Sequence, residues 1–180
     1  GYFNLPKILE LALHNGVDAR TGRQLGPRTG SCDQLSSFEQ LMRAFRQQLH
    51  HFTEIKVRGS NVIERLYAKY MPAPFLSLLV DDCVARGLDY HDGGARYNTT
   101  YIQGVGIGTI TDSLSAIKRH VFDEKQIGMG ELLSALDADF AHCERLRARL
   151  RDNTPRYGND DEYADAIMKS VFHAFFDEVD

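Results

Sequence analysis

The amino-acid sequence predicts an α/β chain that is predominantly helical, and three observations carry that expectation. Apolar residues recur at intervals of three and four along most of the 180 residues, as in helices with one buried face. Residues 101 to 110 form one run of β-branched and aromatic residues suited to extended backbone. Glycine and proline fall mainly where the periodicity breaks, so they read as stops. A lone strand among helices is odd for a complete domain, because a strand needs partners.

Taken in order, a first helix opens at Asn4 or Leu5 with Pro6 in its first turn. Leu5, Ile8, Leu9, Ala12 and Leu13 make its apolar face, and Asn15-Gly16 supplies a left-handed stop. Residues 16 to 35, rich in glycine, form a long loop. Ser36 and Glu39 have capping-box spacing. Phe38, Leu41, Met42, Phe45, Leu49, Phe52 and Ile55 then repeat at three and four, so a long amphipathic helix should end near Arg58-Gly59. A further helix covers residues 62 to 69 and stops before Pro72 and Pro74. Residues 75 to 85 make a third, apolar enough on one side to imply burial within a larger body. After the strand at 101 to 110, Thr111 or Asp112 caps a helix through Phe122. Helices over residues 129 to 140, 143 to 150 and 160 to 179 complete the chain.

Composition excludes several classes. With 43% apolar residues and a net charge of −4, the chain has the size of one ordinary domain, and its charge is too small and mixed to point to nucleic acid. No apolar run approaches the roughly 20 residues of a membrane span, and no signal peptide is visible. Cys32, Cys83 and Cys143 are widely spaced without CxxC pairs, which favours reduced cytosolic thiols over disulfides or a zinc site. The chain starts GYFN without Met, and its last helical pattern runs to Asp180 without a stop signal. It therefore reads as a segment of a longer polypeptide.

The most informative stretch is GGARYNTTYIQGVGIGTITD, residues 93 to 112, whose glycines at 93, 94, 104, 106 and 108 mark close approach by other backbone or a ligand. A phosphate cradle is excluded by spacing: GxGxG at 104 to 108 lacks the third glycine of the dinucleotide fingerprint, and no GK[ST] follows. The stretch instead resembles the glycyl radical enzymes, the family of pyruvate formate-lyase and the radical dehydratases. LPKILELALHNGVDARTGRQLGPRTG (5 to 30), PAPFLSLLVDDC (72 to 83), GGARYN (93 to 98), DSLSAIK (112 to 118) and TPRYGNDDEYAD (154 to 165) look like successive blocks of that family in its order. The resemblance spans essentially the whole chain.

That resemblance implies a fold and a chemistry. Residues 1 to 180 would be an internal segment of the family's barrel domain, ten strands wrapped by helices, which explains the scarcity of strands. The family's catalytic cysteine lies in a Gly-Cys-Val-Glu loop and its radical in an Arg-Val-x-Gly-Tyr motif; neither occurs here, so no catalytic residue is expected in this segment. In the implied reaction a glycyl radical, installed by a separate S-adenosylmethionine-dependent iron-sulfur activating enzyme, generates a cysteine thiyl that abstracts substrate hydrogen, and a neighbouring hydroxyl leaves as water. Gly1-Tyr2 resembles the trans-4-hydroxy-L-proline dehydratase branch, in which this tyrosine lines the substrate site. Glycerol or diol dehydratases, a formate C-acetyltransferase-like member, and a non-catalytic helical interaction domain or inactive fragment are the alternatives. A homodimer in anaerobic cytoplasm, acting on a small molecule, is the corresponding expectation.

Other candidates have plainer readings. Arg96, Tyr97, Asn98 and Gln103 form a glycine-bracketed polar cluster whose donors must find partners, through structural hydrogen bonds or by lining a pocket. His50 and His51 are adjacent on a helix and face different directions, which favours packing or solvation. Asp81 and Asp82 diverge in the same way, and the acidic run after Gly158 lacks the ligand spacing of a calcium loop and suits a helix N-terminus. No metal site is expected.

Overall fold

The computed structural model describes residues 1 to 179, which divide into two compact units. One comprises Gly1 with Thr53–Gln103, the other Tyr2–Phe52 with residues 104 to 179. The elements are β1 (Tyr2–Asn4), α1 (Leu5–Leu13), α2 (Phe38–Tyr70), α3 (Pro74–Leu79), α4 (Cys83–Arg86), β2 (Gln103–Val105), α5 (Ile107–Ile117), α6 (Met129–Asp137), α7 (Glu144–Asp152) and α8 (Glu162–Val179). Helix is thus the dominant structure, and β1 and β2 make a two-stranded sheet. Gly1 donates to the Tyr101 carbonyl and accepts from the Gln103 N–H at 2.9 Å, the slanted pattern of parallel pairing.

The second unit has a continuous apolar core. Asn4 caps α1 by accepting from the Lys7 N–H at 3.3 Å, and Leu5, Ile8, Leu9, Leu11, Ala12 and Leu13 are buried. Asn15 and Gly16, at φ 53° and 81°, make the left-handed stop. Helix α5 packs chiefly on α8 and next on α1, and Ile110, Leu114 and Val171 are wholly excluded from solvent. Leu41, Phe45 and Leu49 of α2 are equally buried, each worth about 1.5 to 3 kcal/mol of apolar transfer. The loop after α1 is held by Asp18, whose carboxylate accepts from Lys7 and Thr21; these bonds hold it well below the usual range, at about 2.

Several boundaries differ from the sequence expectation, each for a physical reason. The helix expected to end near Gly59 runs unbroken to Tyr70, absorbing the separate stretch at 62 to 69, because one glycine costs a helix only about 1 kcal/mol, too little to end one that continues on both sides. The stretch at 75 to 85 is two short helices, broken where Asp82 takes a left-handed φ of 75°. None of α3 is buried among the described residues. The cap of α2 is Ser37, not Ser36: its hydroxyl accepts from the Gln40 N–H at 3.3 Å, while the Gln40 side chain accepts from the Ser36 N–H at 2.7 Å. The strand expected over 101 to 110 is only Gln103–Val105, and the next helix starts at Ile107 rather than at Asp112. Gly106 ends the extended backbone at φ 86°, where a Cβ would lie 2.6 Å from Pro6 Cδ. Helix α5 ends at Ile117 and continues as a π turn, Lys118–Asp123. The last helix opens at Glu162, with Asp161 accepting from the Tyr163 N–H at 2.9 Å as its cap.

The first unit is organised differently. Its buried side chains are few, among them Cys83 and Ala95, while Phe75, Leu78 and Leu79 are 75%, 68% and 68% exposed. Polar bonds hold it instead. Asp89 accepts from the Ala73 N–H at 2.9 Å, the Ser77 hydroxyl at 2.8 Å and the His91 N–H at 2.9 Å, tying the start of α3 to the turn at Tyr90–Asp92. Gly94 is required where the chain passes the Leu88 carbonyl, since a Cβ there would lie 2.2 Å from that oxygen.

Two outcomes follow. Gly106→Ala should lower the urea midpoint followed by circular dichroism, because left-handed backbone alone costs an L-residue about 1 to 2 kcal/mol and the Pro6 clash adds to it. An unchanged midpoint would contradict the assigned backbone. The 180-residue chain by itself should brighten a hydrophobic dye or self-associate, given its exposed apolar side chains; a monodisperse monomer that leaves the dye dark would instead favour a free-standing interaction domain.

Candidate functional site

Tyr2 belongs to the second unit, and β1 places it by strand alternation. Phe3 points inward, 6% exposed and 5.6 Å from the Phe175 ring centroid, so Tyr2 on the opposite face is 76% exposed. A phenol is thereby displayed on backbone anchored by the sheet and by the cap of α1. An aromatic face with one hydroxyl can pack on a compact apolar ring and hydrogen-bond to its polar substituent.

The polar cluster lies in the first unit and is not one constellation. Arg96 Nε and Nη2 donate to the two Asp82 carboxylate oxygens at 3.0 and 2.8 Å, a bidentate fork, with Asp81 at 3.5 Å from Nη1. The Arg96 bonds hold the Asp82 carboxyl below its ordinary value, and the same pair raises the guanidinium. Asp81 and Asp82 are thus partners of Arg96. Tyr97 is 86% exposed, Asn98 is exposed beside Gly93, and the Gln103 N–H serves the strand pairing. No hydrogen bond joins any two of Arg96, Tyr97, Asn98 and Gln103 among the described residues.

His50, His51 and His120 have structural partners. His50 meets Glu178 at 2.7 Å, and the His51 ring stacks edge-on against Phe52. Buried His120, in the π turn, is bracketed by Thr154 at 3.1 Å and Gln126 at 3.3 Å. Burial and then the neighbouring Asp33 push the Cys32 thiol up to about 11, and Cys83 is 1% exposed. These are inert thiols. No glycine stands in Arg-Val-x-Gly-Tyr and no cysteine in Gly-Cys-Val-Glu, so the residues present do not fit the seat of a glycyl radical or its cysteine. Sequence reasoning missed the Asp89 hub and the Lys7-Asp18-Thr21 cluster. Asp89 lay ahead of a Gly-Gly turn, a cue for an Asx cap, but its partners 12 and 16 residues away carried no local signal.

A profile of the pyruvate formate lyase-like family matches residues 1 to 180. The chain belongs to that family. It is 54% identical over 179 residues to trans-4-hydroxy-L-proline dehydratase of Clostridioides difficile, a match that spans 99% of this chain and 23% of that enzyme. The crystal structure of that dehydratase with trans-4-hydroxy-L-proline bound superposes with a TM-score of 0.94, again over 99% of this chain and 23% of that one. The glycerol-bound B12-independent glycerol dehydratase from Clostridium butyricum gives 0.90 at 38% identity, covering 99% of this chain and 22% of its own. A glycyl radical enzyme from Archaeoglobus fulgidus gives 0.87 at 39% identity, covering 99% and 22%. The chain thus spans under a quarter of the length of these relatives, and its helical fold is that of the matching part of glycyl radical enzymes. No helix among the described residues is long and apolar enough to cross a membrane.

Asp82→Asn should accelerate amide exchange across residues 93 to 98 by breaking the fork that pins Arg96. In the unmodified chain the same protection should persist above the ordinary carboxylate value near 3.9 and be lost as pH falls through the lowered Asp82 value. Protection indifferent to both changes would leave Arg96 free for another role.

Proposed function

We propose that residues 1 to 180 are an internal segment of the barrel domain of a radical dehydratase, a carbon-oxygen lyase that eliminates water from trans-4-hydroxy-L-proline. The observation that carries this reading is the 54% identity and 0.94 TM-score, over 99% of the chain, to the dehydratase crystallised with that substrate. Glycerol or another diol is the second reading, favoured by the 0.90 match to a glycerol-bound dehydratase. A glycyl radical supplies one-electron hydrogen abstraction in this class, and we assign its glycine and the reactive cysteine to other parts of the longer polypeptide. The segment alone is then inactive.

Within that reading Tyr2 forms one wall of the pocket, against the substrate ring. Arg96, Tyr97, Asn98 and Gln103 have a structural rather than a chemical role, since Arg96 is already committed to Asp82. A radical S-adenosylmethionine activating enzyme is the required partner, and the full protein is a cytoplasmic homodimer of an anaerobic metabolism.

The test is Tyr2→Phe in the longer protein. Losing one positioned hydroxyl should reduce turnover of hydroxyproline by about 1 to 3 kcal/mol of transition-state stabilisation. The glycyl radical signal in electron paramagnetic resonance should be unchanged, because the radical sits elsewhere. Undiminished hydroxyproline turnover removes Tyr2 from the pocket, and stronger wild-type activity on glycerol transfers the assignment to the diol reading.

A further inference from the structure

One side chain of α8 supports both strands of the sheet that carries Tyr2. The Phe175 ring centroid lies 5.6 Å from that of Phe3, the inward residue of β1, with the two planes at 44°. The same ring lies against β2, where a Cβ at Gly104 would be 3.0 Å from Phe175 Cε1 and 3.2 Å from Cδ1. Gly104 sits in extended backbone without a positive φ, so close contact rather than conformation calls for glycine there. Leu5, 2% exposed, closes the third side, with its Cδ1 3.3 Å from the same point. In packing this close, a change of a single methylene is felt by the neighbours.

Phe175 is itself held in place. Val171, one turn earlier on α8, is wholly excluded from solvent, and Glu178, nearly one turn later, meets His50 of α2 at 2.7 Å. Strand alternation puts Phe3 and Tyr2 on opposite faces of β1, so a molecule packed on the Tyr2 phenol does not touch Phe175. The ring acts on such a molecule through the strand. Because β1 is only three residues long, a shift of Phe3 carries Tyr2 with it.

We infer that Phe175 is a positioning residue for the dehydration: through Phe3 it sets where the Tyr2 phenol meets substrate, and Gly104 leaves the room its ring needs. The inference rests on the reading of Tyr2 as one wall of the substrate pocket.

The test is steady-state kinetics on trans-4-hydroxy-L-proline in the longer, activated protein, with Phe175→Leu, Gly104→Ala and Tyr2→Phe made singly and in pairs. Phe175→Leu should lower kcat/KM by about 10-fold, within the loss that a small misplacement of a positioning group produces, with the glycyl radical signal per protein unchanged. Coupling separates positioning from general stability. In the Tyr2→Phe background the Phe175→Leu loss should shrink several-fold, because the hydroxyl whose placement it disturbs is already gone, whereas a purely structural ring gives the same loss in both backgrounds. Gly104→Ala pushes a methyl against the ring without removing it, so it should give a similar loss that Phe175→Leu partly restores. Should Phe175→Leu fail to carry the radical, the coupling of Gly104→Ala to Tyr2→Phe decides the question. Losses that multiply independently, or full turnover in both the Phe175 and Gly104 variants while Tyr2→Phe is impaired, would overturn the inference and leave Tyr2 in the pocket. Undiminished turnover in Tyr2→Phe alone would instead defeat the reading of Tyr2, and the inference with it.

Discussion

Burial of α5 between α1 and α8 is the constraint that organises the second unit, because a helix with Ile110, Thr111, Leu114 and Ser115 excluded from solvent has little freedom to shift. The close approach at its start is possible because Gly106 lacks a side chain where Pro6 of α1 lies. At its other end, Ser115 donates to the Pro155 carbonyl at 2.6 Å and His120 meets Thr154, which fixes the turn leading toward α8. The family blocks around residues 112 to 118 and 154 to 165 therefore meet in space across a separation of about 40 residues.

The first unit is held by direction rather than by burial. Asp89 and the Asp82-Arg96 fork satisfy backbone donors and charges, but they remove little apolar surface from water. Polar bonds of this kind are worth only about 0.5 to 1.5 kcal/mol each in net terms, well below what a packed core supplies. Its Phe75, Leu78 and Leu79 accordingly stay exposed.

The chemistry proposed for the longer protein needs a dry, shaped cavity around a reactive centre that these residues do not carry. What they offer is placement. A two-stranded sheet and a capped helix hold Tyr2 on fixed backbone, so its phenol can be presented without the entropy loss of an unsupported loop.

Local chemistry in the sequence determined the first helix with its Asn15-Gly16 stop, the amphipathic face of α2, the acidic cap before α8 and the overall helical character, because each depends on residues within a few positions of one another. The ordered blocks also fixed the family, and Tyr2 was singled out from its place in them. Only tertiary structure decided the rest. It carried α2 through Gly59, shortened the strand to Gln103–Val105 and supplied β1 as its partner, since pairing is set by residues about 100 positions away. It also committed Arg96 to Asp82 and left the face of α3 in solvent, because a hydrophobic pattern says which residues share a face but not what packs against it.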